Sequence, residues 1–177
     1  MSIESEFLNS MIKRFKEYKS LGEKTFAQLN EEEIHYQPNA ASNSIAIIIQ
    51  HLHGNMLSRW TNFLTEDGEK EWRKRDEEFE TYSFSKQQLL EKWNEGWKVL
   101  FDSVESLKEE DLLKTITIRT KALVAIDAIN RQLAHYSYHV GQIVYIGRWI
   151  KADNWQSLSI PKGGSQNYNQ EMKVSRH

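Results

Sequence analysis

His135-Tyr136-Ser137-Tyr138-His139 sets two imidazoles four residues apart inside a long helical pattern. Residues at that spacing lie on one helix face, a turn apart, so both rings can reach a single metal ion. A third imidazole is available upstream at His51 or His53, again within a helical pattern. Three imidazoles with one coordination position left for water or substrate are the donor set of a catalytic rather than a structural site. The motif lacks the Glu of His-Glu-x-x-His, because Tyr136 stands there. The built-in general base of that metalloprotease class is therefore missing, and protease activity is rejected.

On a wheel of roughly 100° per residue, the apolar face of the last helical pattern centres near Ile129, Leu133 and Val140. His135 and His139 fall at its margin, beside Gln132 and Gln142. A ligand belongs there, near enough to the core to be held and near enough to the edge to be reached. The same positions also suit ordinary border residues. In the upstream helix, His53 lies nearer the apolar stripe, while His51 shares a polar strip with Asn55, Ser58 and Asn62. Periodicity leans towards His53 without deciding. His35, in a connection, and His177, at the terminus, read as surface histidines.

Four amphipathic helices must position these groups. The first runs from about Ile3 to Leu29, with Phe7, Leu8, Met11, Ile12, Phe15, Tyr18 and Leu21 recurring at helical spacing. A short turn at Glu31 to Ile34 follows. The second starts at an Asn43 or Ser44 cap, runs to about Thr65 and stops at Asp67-Gly68. Glu69 to Glu80 is densely charged and reads as a solvated excursion anchored by Trp72 and Phe79. Ser85 to Gln88 has the form of a capping box and opens the third helix, to about Leu107. Thr115 to Thr120 alternates Thr and Ile as a short extended segment. The fourth helix spans roughly Leu123 to Ala152, and the tail from about residue 153 to 177 reads as irregular. With no repeat and no long linker, the chain reads as one all-α domain, a four-helix bundle.

Bulk properties narrow the function. A chain of 177 residues is long enough for one sizeable core. Its net charge of −2 invites neither nucleic acid nor an anionic membrane. The longest apolar run, Ile45 to Ile49, is far too short to span a bilayer, and Glu4 and Glu6 replace the basic start of a signal peptide. The cytoplasm is the expected compartment. There are no cysteines, so a metal must take nitrogen or oxygen ligands and any reacting thiol must arrive as a substrate.

Several motifs then coincide. Ser44-Ile45 at a helix start, His51-Leu52, Gly54-Asn55-Met56 and His135-x-x-x-His139-Val140-Gly141-Gln142 resemble the DinB/YfiT-like superfamily, whose members are regarded as metalloenzymes. Gly54 to Trp60, Phe63 to Lys70 and Leu158 to Pro161 are similar to one bacterial branch of it, in the same order along nearly the whole chain. The resemblance implies an up-down-down-up four-helix bundle and a divalent metal, zinc or nickel. It places the ligands at His51, His135 and His139, choosing His51 over His53. Asn55, Arg59 and Gln142 become candidates for the surrounding pocket.

Better understood members of that superfamily are similar to S-transferases that use low-molecular-weight thiols. The resemblance therefore implies transfer of a thiol to a small electrophile. A metal-dependent hydrolase and a non-catalytic binding protein are the alternatives. A transferase needs cationic groups beside the metal for an acidic thiol, and Arg59 and Arg148 are candidates by helix position; Arg59 also suits a plain salt bridge. A hydrolase needs a carboxylate near the metal, and none lies on the ligand stripe of the last helix. Surplus large apolar residues on the first, third and fourth helices point to a homodimer.

Overall fold

The computed structural model describes residues 2–174, and His177 lies outside them. The described chain is mostly helical: α1 (Ile3–Phe26), α2 (Glu31–His35), α3 (Ile45–Trp60), α4 (Lys86–Ser106), α5 (Ala125–Lys151) and α6 (Ser165–Val174), with a hairpin of β1 (Thr115–Ile118) and β2 (Lys121–Val124). Each start has a local cause. Ser2 and Ser44 cap α1 and α3 by accepting from the backbone N–H three residues on, which satisfies one of the free donors of a first turn. Asn30 with Glu33, and Ser85 with Gln88, form reciprocal capping boxes on α2 and α4.

The four long helices close on one another: α3 packs on α4 and α1 on α5, while α1 also meets α4 and α3 meets α5. Their shared core is aromatic at its centre, with Phe15, Trp60, Trp93, Trp97 and Tyr136 all essentially solvent-free. The α5 face that turns inward carries Ala125, Ala128, Ile129, Gln132, Tyr136, His139, Val140 and Ile143. It is rotated towards Tyr136, and Leu133 is only partly buried. That rotation carries His139 inside. No helix among the described residues is long and apolar enough to cross a membrane.

Four sequence expectations change. Helix α1 ends at Phe26 rather than Leu29. Helix α3 ends at Trp60, well short of Thr65, because Thr61 is extended and Asn62 takes a left-handed φ of 51°. Asp67-Gly68 therefore does not terminate a helix; it binds the hairpin instead. The segment from Thr115 is the first strand of a two-stranded antiparallel pair, Ile116 opposite Leu123 and Ile118 opposite Lys121, so Leu123 belongs to β2 and not to α5. The tail is not wholly irregular, since α6 occupies Ser165–Val174, with no buried residue.

Candidate metal centre

Helix α3 delivers His51 and α5 delivers His135 and His139 to one point. His135 Nε2 lies 3.2 Å from His51 Nε2 and 3.1 Å from His139 Nε2, and one ligand nitrogen from each of the three falls within 4.8 Å of the others. The rings meet edge to face rather than stacked. His51 is the member from α3. His53, favoured by periodicity, is half-buried and bonds instead to Glu95 of α4 at 2.8 Å. The reason is that α3 is buried almost all round from Ile45 to Leu52, so its apolar stripe does not mark one direction. His35, read as a surface residue, is half-buried and bonds to the Phe84 carbonyl.

The outward nitrogens fix how the inward ones behave. His51 Nδ1 is 2.9 Å from Glu78 Oε2. Burial opposes ionisation of Glu78, but hydrogen bonds from His51 and Arg73 outweigh it and hold the carboxyl below the usual range. An ionised carboxylate only accepts, so His51 Nδ1 donates and its Nε2 keeps a lone pair. His139 Nδ1 similarly faces Gln142 Oε1 at 2.8 Å, while Gln142 Nε2 donates to Tyr138 Oη. Burial, then the neighbouring imidazoles, push His135 down to about 3; burial, then His51, push His139 down to about 4. Both rings are therefore neutral at pH 7.

These donors fit a cation. Two lone pairs at least converge on one point, and a single proton on His135 Nε2 can serve only one of them. His135 Nδ1 is buried without any hydrogen-bond partner. Whichever nitrogen of His135 carries the proton, one buried polar group is left unmet, which costs about 1–3 kcal/mol. A cation at the convergence meets all three lone pairs together. The two separations from His135 Nε2 are close to the roughly 3.3 Å expected between ligands of a tetrahedral ion with bonds of about 2.0 Å.

The charged segment after α3 is solvated along most of its length, yet it turns several side chains inward. Arg73 is buried and grips Glu78 with two parallel bonds, 2.7 Å from Nε and 2.9 Å from Nη2. Phe79 stacks on His51 at 4.8 Å, as an anchor should, but Trp72 is exposed. Gly54 makes room for this contact, because a Cβ there would overlap the Glu78 carboxylate. A carboxylate does stand beside the centre after all, contributed by this segment rather than by α5.

Beneath the histidines, Trp60 Nε1 donates to Tyr136 Oη (2.9 Å), which donates to Asn55 Oδ1 (3.0 Å). Asn55 is thus fixed between the helices while it lines the cleft. Arg59 is buried, pairs with Glu69 at 2.9 Å and donates to the Gly68 carbonyl. It is both a salt-bridge residue and part of the cleft wall. Arg148 is exposed and lies outside the wall.

The cleft over the histidines has a volume of about 270 Å³ and is lined by Arg59, Arg73, Arg75, Arg119 and Arg131. Sequence reasoning missed the last four. Arg131 had a signal, since it precedes His135 by one helical turn. Arg119 had none. It sits at the hairpin tip with φ 54°, next to Thr120 at 63°. Asp67 holds that tip by accepting from the backbone N–H groups of Arg119 and Thr120, each at 2.8 Å. A larger groove of about 620 Å³ along α1, lined by Ile12, Lys16 and Leu21 among others, holds no converging ligand groups.

The family described as "Protein of unknown function (DUF1572)" matches residues 2–164. A comparison with curated proteins gives no match.

Proposed function

We propose that this chain, which belongs to the DUF1572 family, is a metal-dependent enzyme with a DinB/YfiT-like four-helix bundle, a single domain whose centre is His51, His135 and His139. The observation that supports it is the convergence of three Nε2 atoms with two of the outward nitrogens already committed to Glu78 and Gln142. A divalent ion, zinc or nickel, supplies Lewis acidity there and lowers the pKa of a coordinating thiol or water.

The favoured reaction is transfer of a low-molecular-weight thiol to a small electrophile. The sulfur forms a bond to the electrophilic carbon, the leaving group departs with its electron pair, and the thiol proton passes to solvent. A free thiol of pKa about 8.5 needs only a modest shift to ionise at neutral pH. The chain has no cysteine of its own to capture the electrophile. Glu78 and Gln142 hold two rings in their ligand tautomer, and Phe79 covers one face of His51. Hydrolysis asks more of the site, because water starts from a much higher pKa and needs a base. Among the described residues, the one carboxylate bonded to the centre, Glu78, is committed to His51 and to two nitrogens of Arg73.

Titrating cobalt-substituted protein with low-molecular-weight thiols tests this reading. A sulfur-to-metal charge-transfer band is expected. No spectral change with any of several thiols at millimolar concentration argues for the non-catalytic alternative. The reading also includes a homodimer. Light scattering should give twice the 20.9 kDa chain mass, and a constant monomer mass across concentrations removes that part.

A further inference from the structure

Resting on that metal centre, we infer that the cleft selects a small oxyanionic substrate, one bearing a carboxylate or phosphate group, held by Arg131 and Arg119 beside the three histidines. Five guanidinium groups line a cleft of about 270 Å³ in a chain whose overall charge is negative. They form two tiers. The inner pair, Arg59 and Arg73, is buried and bonded to Glu69 and Glu78, so its role is to hold the segment after α3 in place.

The outer tier is different. Arg75 lies over the Phe79 ring and reaches the exposed Asp76 only at 3.7 Å. Arg119 bonds to Glu69 at 3.2 Å, an oxygen already shared with Arg59 and Arg73. Arg131 has no ion pair among the described residues, although it is exposed and free to extend. Four carboxylates, Glu69, Glu78, Asp76 and Asp67 at the hairpin tip, stand with the five guanidinium groups. One positive charge, on Arg131, is left without a partner among the described residues, next to a centre whose imidazoles carry no negative charge. Such a pocket concentrates anions, and a planar fork with parallel N–H groups suits a carboxylate or phosphate.

The backbone at Arg119 points the same way. A two-residue hairpin turn with both residues at positive φ ordinarily uses Asn or Gly. Here Arg119 and the β-branched Thr120 take those values, held by two hydrogen bonds to Asp67, which is itself fixed by accepting from Glu69 N–H. Strain of this kind persists where surrounding contacts enforce it, and here it carries a guanidinium into the cleft. Arg131 stands one turn, about 6 Å of helix rise, before His135, so both side chains leave α5 on the side that lines the cleft.

Calorimetric titration of the metal-loaded protein with inorganic phosphate, and separately with succinate, tests this, alongside Arg131→Gln and Arg119→Gln variants. Metal content is measured on every sample. Binding of at least one anion is expected, weakened about tenfold or more by Arg131→Gln at unchanged metal content, and weakened further by salt. The phosphate and succinate arms tell which oxyanion is preferred. Equal affinity in wild type and both variants would assign the anion to the metal alone and overturn the inference. So would absence of binding by either anion to metal-loaded protein, while the metal centre stands. If wild type holds no metal, the centre itself fails, and the same anion titrations of metal-free wild type and variants report on the arginines separately.

Discussion

Glu78 Oε2 accepts a hydrogen bond from His51 Nδ1 at 2.9 Å across 27 positions of sequence. Arg73 holds the same carboxylate from its far side, and Gly54 leaves the gap through which it reaches the ring. A carboxylate behind an imidazole orients the ring and makes its inner nitrogen a better donor. Glu78→Gln should therefore lower metal affinity about 10- to 100-fold with the fold intact, as read by competition with a chromophoric chelator. Gly54→Ala should do the same by displacing Glu78. Unchanged affinity in both variants would mean that the contact does not tune the centre.

The third ring lacks such a partner. His135 Nδ1 and Gln132 Oε1 are both buried, both unbonded, and three residues apart on α5. His139 and Gln142 have the same spacing and are bonded. Gln132 is expected to turn onto His135 when the inner nitrogens are engaged by metal. Gln132→Met should then cost about tenfold in metal affinity. A variant that binds as tightly as wild type would leave Gln132 with no part in positioning His135.

Acid should weaken the metal-free protein in a defined window. His135 and His139 have native pKa values of about 3 and about 4, pushed down first by burial and then by neighbouring imidazoles. In the unfolded chain they take up protons near pH 6.5. A folded-state pKa below the unfolded one means that stability present above pH 6.5 is lost as pH falls towards the folded values. The slope reaches about 1.4 kcal/mol per pH unit for each histidine. The window between about 6.5 and 4.5 precedes the titration of ordinary carboxylates. His53, lowered by burial, contributes there too and is separated by His53→Gln. Denaturant melts of chelator-treated protein should show the loss, and His135→Leu should reduce it. A flat profile would contradict the burial of neutral rings.

What was legible in the sequence followed periodicity. Leu89, Trp93, Trp97, Leu100 and Val104 are all buried on α4 as their spacing requires. His135 and His139 share a face because a helix leaves no choice. The choice between His51 and His53 was not legible from spacing, since α3 is buried on too many sides for a wheel to orient it. The segment after α3 is solvated as its charge implies, but its inward contacts were not legible because they have no period. Lys70 and Arg73 are buried cations whose partners lie in a bend and in a single 3-10 turn at Asp76–Phe79, and charge density alone looks like a solvated surface. Arg119-Thr120 carries none of the Asn or Gly signals of a tight hairpin, since Asp67 supplies the stabilisation from elsewhere. Helix α6 buries nothing, so it leaves no apolar stripe to read.

Metal analysis of the purified protein, with His51→Ala, His53→Ala and His139→Ala beside wild type, tests the centre most directly. Close to one divalent ion per chain is expected in wild type and in His53→Ala, with most of it lost in His51→Ala and His139→Ala. Full occupancy in His139→Ala, or loss in His53→Ala with retention in His51→Ala, would contradict the assignment of the three ligands.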